Sequence, residues 1–168
     1  MVIVQVPWEL QGAPSAQVKV LVDGFVPSNV VSVPLVQYAP ALFPTGSIVY
    51  AYNLTTQSEI SASSPAHAGD MVQLFANGLG PVNNQPASGD DLPAAPNQAT
   101  TSSTPTVTVG NQPATVSYSG LGYALPDSIL WFQYTVTVQI PSGLAAGNQP
   151  VVLSIGGVSS TAVSIPIK

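Results

Sequence analysis

The feature that most constrains this chain is a repeat within it. Residues 2–7 read VIVQVP, against VTVQIP at 136–141. Residues 17–24 read QVKVLVDG, against PVVLSIGG at 150–157, and residues 26–35 read VPSNVVSVPL, against VSSTAVSIPI at 158–167. The three blocks are collinear and their spacing drifts by one residue between successive pairs, so one structural unit is encoded twice. Each block is rich in the β-branched residues that suit strands. Pro7 and Pro141 end the first strand of each copy, because proline has no N–H to give a ladder. Asp23-Gly24 and Gly156-Gly157 read as hairpin turns that need φ > 0. Apolar residues then alternate at Val31, Val33 and Leu35 and at Val163, Ile165 and Ile167, which predicts one buried and one wet face.

Between the copies, residues 47–53 (SIVYAYN) and 71–76 (MVQLFA) read as strands, and 105–109 with 114–118 as a hairpin around Gly110-Asn111. Residues 54–70 are a polar connector, and 82–104 a long loop of Pro, Asn, Ser and Ala. No helix longer than a turn is expected. With 17 Pro and 14 Gly punctuating short strands, the expected fold is all-β, an immunoglobulin-like β-sandwich. Residues 63–168 make one complete repeat of about seven strands. Residues 1–53 hold a partial one, with 1–37 matching its C-terminal half, and 54–62 connect the two. Such a half-sandwich exposes sheet edges and an apolar face, so it should pack on the complete domain or swap into a strand-exchanged homodimer.

Composition narrows the partners. Only 5% of the 168 residues are charged and 45% are hydrophobic, yet Pro, Gly, Ser or Asn interrupts every apolar run, so no membrane span is expected. The basic residues are Lys19 and Lys168, too few to neutralise phosphates, which argues against nucleic acid, phosphorylated substrates and anionic lipid. A net charge of −5 favours a cation as the charged partner. The absence of cysteine removes disulfides, thiolate catalysis and cysteine-type zinc sites. The opening Met-Val-Ile-Val-Gln-Val reads as a strand rather than as a signal peptide.

Few residues suggest chemistry. Asn77-Gly78-Leu79-Gly80-Pro81 reads as a strand-ending turn, since it lacks the Gly-Lys-Ser/Thr of a phosphate loop. Gly89-Asp90-Asp91 is the one carboxylate pair, in a loop that also holds Asn83, Asn84, Ser88 and Asn97. With Asp70 or Asp127 it could offer calcium the six to eight oxygens that ion takes, and a solvated loop is the competing reading. His67, the sole histidine, precedes Asp70 by three residues; an exposed connector histidine competes with a Ser-His-Asp role. The aromatics Trp8, Tyr38, Phe43, Tyr50, Tyr52, Tyr118, Tyr123, Trp131, Phe132 and Tyr134 serve either the core or sugar stacking. Alternation turns Trp131 and Gln133 to one face, Phe132 and Tyr134 to the other.

VQVPWEL at 4–10, YAPALF at 38–43, PAHAGDMVQLFANGLGPV at 65–82, TPTVTVGNQPATVSYSGL at 104–121 and YTVTVQIPSGLAAGNQPVVLSIGGVSS at 134–160 resemble the Solibacter-type repeat family of acidobacterial proteins. The resemblance spans nearly the whole chain, which differs in starting midway through the first repeat. It implies an immunoglobulin-like module of a secreted or cell-surface protein and supplies no catalytic residue. The leading expectation is therefore a non-catalytic spacer, adhesion or ligand-binding module. Two alternatives stand beside it. In a small calcium-dependent hydrolase of esters or lactones, the ion would polarise a carbonyl while Asp90, Asp91 or His67 positioned or activated water. In a carbohydrate-binding module, aromatics such as Trp131 would stack on glycan.

Overall fold

The computed structural model describes residues 4–90, 92, 98–122 and 133–168. It is all-β with curled sheets. The described strands, in chain order, are β1 (Ser15–Val18), β2 (Val31–Pro34), β3 (Ala41–Leu42), β4 (Pro44–Thr45), β5 (Ile48–Val49), β6 (Ala51–Asn53), β7 (Ser58–Glu59), β8 (Met71–Asn77), β9 (Thr106–Val109), β10 (Gln112–Gly122), β11 (Gln133–Gln139), β12 (Gly147–Ile155), β13 (Val158–Ser159) and β14 (Val163–Ile167). The one helical turn among the described residues is 3-10, at Trp8–Leu10.

All strands but β1 and β2 join one sheet, in the order β4-β5-β14-β12-β9-β10-β11-β8-β6-β7, with β13 on β12 and β3 on β8. Two places let it curl. Strand β10 pairs through Gln112–Ala114 with β9 and through Thr115–Gly122 with β11, and its register shifts between Val116 and Tyr118. A bulge there bends and twists the strand, so its two ends serve two halves of the sheet. The chain crosses again at Tyr50: β5 lies parallel to β14, whereas β6 runs antiparallel to β8. The expected 47–53 strand is thus two short strands in different halves.

Both halves feed one core. Val72, Leu74, Val136 and Val138 come from β8 and β11, and Val107, Val109, Val151, Leu153 and Ile165 from β9, β12 and β14. Leu42, Val49, Ala51 and Ile60 complete it, so segments near the start of the sheet are buried with its last strands. Two-residue turns set the hairpin registers. Gly110 (φ 57°) and Asn111 (φ 64°) join β9 to β10, and Gly156 (φ 58°) and Gly157 (φ 81°) join β12 to β13. Left-handed backbone at both central positions matches the strand twist, which explains the Gly-Asn and Gly-Gly pairs. Gly24 likewise has φ 74°, in a turn closed by the Phe25 N–H on the Val22 carbonyl at 3.0 Å.

The first repeat forms a separate two-stranded sheet and lacks the strand expected before Pro7: residues 4–7 are in no strand, and residues 1–3 lie outside the described residues. Its register is Ser15↔Pro34, Ala16↔Val33, Gln17↔Ser32 and Val18↔Val31. In the second repeat β12 and β14 pair Asn148↔Pro166, Gln149↔Ile165, Pro150↔Ser164 and Val151↔Val163, the same register at every matched position. The turns agree as well. The Val20 N–H donates to Ser28 Oγ (2.9 Å), that hydroxyl donates to the Asn29 carbonyl (2.8 Å), and the Ser28 N–H donates to the Val20 carbonyl (3.0 Å). Leu153, Ser160 and Thr161 repeat this network at 3.1, 3.0 and 2.8 Å.

Candidate functional site

Asp70 is the one acidic group buried among the described residues, and its position follows from the turn that starts β8. Gly69 adopts φ 87°, its N–H donates to the Ile140 carbonyl (2.9 Å), and the Ile140 N–H donates to the Asp70 carbonyl (2.9 Å). The carboxylate therefore turns inward. Its Oδ2 accepts from Asn53 Nδ2 at 2.7 Å and from the His67 backbone N–H at 2.8 Å. Asn53 is also buried, and its Oδ1 accepts the N–H groups of Thr55 (2.9 Å) and Thr56 (3.2 Å), which shape the β6–β7 turn. This network joins residues 53, 67 and 70 into a knot at one end of the sheet.

The His67 ring lies beside it, with Nδ1 3.7 Å from Asp70 Oδ2 and the side chain 53% exposed. That separation exceeds hydrogen-bond distance, so the ring is not oriented by the carboxylate as a catalytic imidazole is by its partner. What Asp70 binds is the His67 backbone. The chemistry available here is turn closure, with the imidazole free to meet solvent.

Asp90 sits elsewhere, exposed at a loop tip where its N–H donates to the Ala87 carbonyl at 3.0 Å. The neighbouring Ser88 hydroxyl donates to Glu9 Oε2 (2.7 Å) and accepts the Trp8 N–H (2.9 Å), tying this loop to the 3-10 turn. The hydrogen bond from Ser88 holds the Glu9 carboxyl below its ordinary pKa. Asp91, Asp127 and Asn97 lie outside the described residues. Among the described residues no three His, Cys, Asp or Glu side chains gather as a metal-holding group. The loop at 82–104 is also more structured than its composition suggests. Val82 bridges Thr101, Thr100 bridges Gly120 of β10, and the Asn83 N–H donates to the Thr100 carbonyl at 2.7 Å.

Most of the described aromatics pack inward. Tyr50 stacks on the fully buried Phe75 with ring centroids 4.9 Å apart. Tyr134 is buried, donates its hydroxyl to the Gly80 carbonyl, and has its phenol pushed up to about 12 by burial. Burial raises Tyr118 and Tyr50 as well, with the Glu59 charge adding to the effect at Tyr50. Trp8 is half-buried against the core. Tyr123, Trp131 and Phe132, the ring-stacking candidates of one alternative, lie outside the described residues.

Tyr38 went unnoticed in the sequence as a structural anchor. Its ring fills the space that a Cβ on either Gly80 or Gly156 would need, and its hydroxyl lies 3.1 Å from Ser103 Oγ. It clasps the segment following the first repeat to two turns of the main sheet. The only available signal was the pair of glycines, and their separation in sequence hides that one ring meets both. Phe25, 75% exposed at the β1–β2 turn, and the fully buried Phe75 are the two aromatics that the sequence did not single out. No family model, no curated protein and no solved structure matches this chain.

Proposed function

We infer that this chain is a non-catalytic, modular β-protein unit, an immunoglobulin-like sandwich repeat acting as a spacer or adhesive module in a secreted or cell-surface protein. One observation carries the reading. The β1–β2 sheet reproduces β12–β14 in strand register and in its serine-capped turn. A unit built twice in one chain is the hallmark of modular arrays, in which mass and reach rather than a reaction centre are multiplied. The strand order supports the finer fold. Strands β6, β8, β11 and one end of β10 form one half, and β14, β12, β9 and the other end of β10 form the second, as in a seven-stranded Greek-key sandwich. A surface made polar chiefly by Ser, Thr, Asn and Gln, with 5% charged residues, fits an extracellular setting, as does the resemblance to secreted Solibacter-type repeats.

The test is turnover. The purified chain, offered a panel of simple esters and lactones with calcium and with chelator, is expected to hydrolyse none. Hydrolysis abolished by chelator, restored by calcium and lost in Asp90→Ala/Asp91→Ala would overturn the reading in favour of a calcium-dependent hydrolase.

A further inference from the structure

Beyond Pro34 the chain leaves β2 and enters the second repeat through residues 37–40, and three glycines make room for it there. Gly78 and Gly80, in the turn after β8, have φ 74° and 78°, and Gly156, in the β12–β13 turn, has φ 58°. Left-handed backbone alone favours glycine at each. Space demands it as well. A Cβ on Gly78 would strike the Ala39 carbonyl, one on Gly80 the Cδ1–Cε1 edge of the Tyr38 ring, and one on Gly156 the opposite, Cδ2–Cε2 edge. The ring is therefore a wedge between two turns, one from each half of the sheet. Hydrogen bonds fix its seat. The Ala39 N–H donates to the Gly78 carbonyl (2.9 Å), the Tyr38 hydroxyl lies 3.1 Å from Ser103 Oγ, and the Tyr134 hydroxyl donates to the Gly80 carbonyl from the core.

The matching turn of the first repeat is built differently. Gly156-Gly157 aligns with Asp23-Gly24, and of that pair only Gly24 has positive φ. Gly157, the counterpart of Gly24, has no atom within 4 Å of its Cβ position. Both copies thus keep the glycine that the turn itself needs, and only the copy that receives a ring has a second one. We propose that the Tyr38 wedge is a joint that holds the β1–β2 arm in a fixed direction on the second repeat. Strands β1 and β2 pair with each other and with no strand of the main sheet. Their base is closed by the Leu35 N–H on the Pro14 carbonyl (3.0 Å), and only Val36 and Gln37 separate that base from the wedge. On the other side of the base, the Trp8 N–H donates to Ser88 Oγ (2.9 Å) and the Trp8 side chain packs on the core. Relative motion is the ordinary state of units that share little interface, so the direction of this arm depends on its anchors. One anchor alone leaves a hinge, whereas two on either side of the base fix the arm. The joint goes beyond the modular reading and stands whether or not the unit is catalytic.

Backbone amide relaxation of the full chain, measured by NMR, reads the joint. In the wild type the amides of Ala16, Gln17 and Ser32 should have order parameters of about 0.85, equal to those of the main sheet. Tyr38→Ala should drop them below about 0.6 while the main sheet keeps its wild-type values. The two neighbouring glycines separate the wedge from turn strain. Both have positive φ, and an added methyl group meets the ring only at Gly156. Gly156→Ala should therefore release the arm as Tyr38→Ala does, and Gly157→Ala should leave it as ordered as in the wild type. Tyr38→Ala and Gly156→Ala each suffice, so a failure of one to fold leaves the test to the other. A wild-type arm with order parameters below about 0.6 overturns the proposal. So does an arm that stays ordered in a folded Tyr38→Ala or Gly156→Ala chain, or one that Gly157→Ala loosens equally.

Discussion

At the scale of single residues, Asp70 and His67 show how two neighbours in sequence take unlike roles. Asp70 is held by two hydrogen bonds and binds Asn53, which in turn holds the β6–β7 turn. Hydrogen bonds to a buried carboxylate are charge-assisted, and removing it strands the Asn53 amide, which is 2% exposed. Asp70→Ala should therefore cost about 2–4 kcal/mol, seen as a fall in melting temperature of roughly 5–15 °C. His67→Ala should stay within about 0.5 kcal/mol, because the backbone N–H that Asp70 uses survives the change. Thermal melts of the two variants separate these outcomes. An equal loss in both would mean that the imidazole, not the turn, holds the knot. The pairing of Asp70 with Asn53 was invisible in the sequence, since it joins residues on either side of a polar connector with no periodic pattern.

At the scale of elements, the repeated hairpin isolates environment from sequence. Leu153 of β12 and Val20, two residues past the end of β1, are matched positions of the repeat, the first buried and the second open. Leu153→Ala should destabilise by about 2–5 kcal/mol through lost burial and the cavity left behind. Val20→Ala should leave the main transition within about 0.5 kcal/mol, as exposed substitutions do. Denaturant titration of both variants checks this, and a comparable loss at Val20 would place the first hairpin inside the main cooperative unit. Strand periodicity was legible here: Val163, Ile165 and Ile167 alternate, and β14 forms as expected. The full length of β10 was not. Its residues Ser117 to Gly120 break the apolar alternation, because a strand that passes from one half of the sheet to the other changes which face is inward.

At the scale of the whole molecule, residues 41–59 belong to the same hydrogen-bonded sheet as the second repeat. Strands β3 and β6 pair with β8, and β5 pairs with β14. They bury Leu42, Val49 and Ala51 in the common core, and Ile60 follows them there. A chain starting at Tyr38 should retain a cooperative melt within about 5 °C of the full-length protein. A chain starting at residue 63 loses those four side chains and uncovers flanking edges of β8 and β14, and it should not unfold cooperatively. Calorimetry of the two fragments decides the matter, and a sharp transition in the shorter one would make residues 38–62 dispensable.

From the sequence alone follow the all-β class, the repeat and the glycine turns at 110–111 and 156–157. These follow from local chemistry: β-branched alternation, the missing N–H of proline, and the ease with which glycine takes positive φ. Packing in three dimensions settles the hairpin registers, which copy of the repeat is buried, where β10 and the Tyr50 segment cross between the halves, and that Asp70 closes a turn. Burial depends on which surfaces meet, and strands distant in sequence bring those surfaces together. Two hairpins of the same register can thus have a dry face in one place and a wet face in the other.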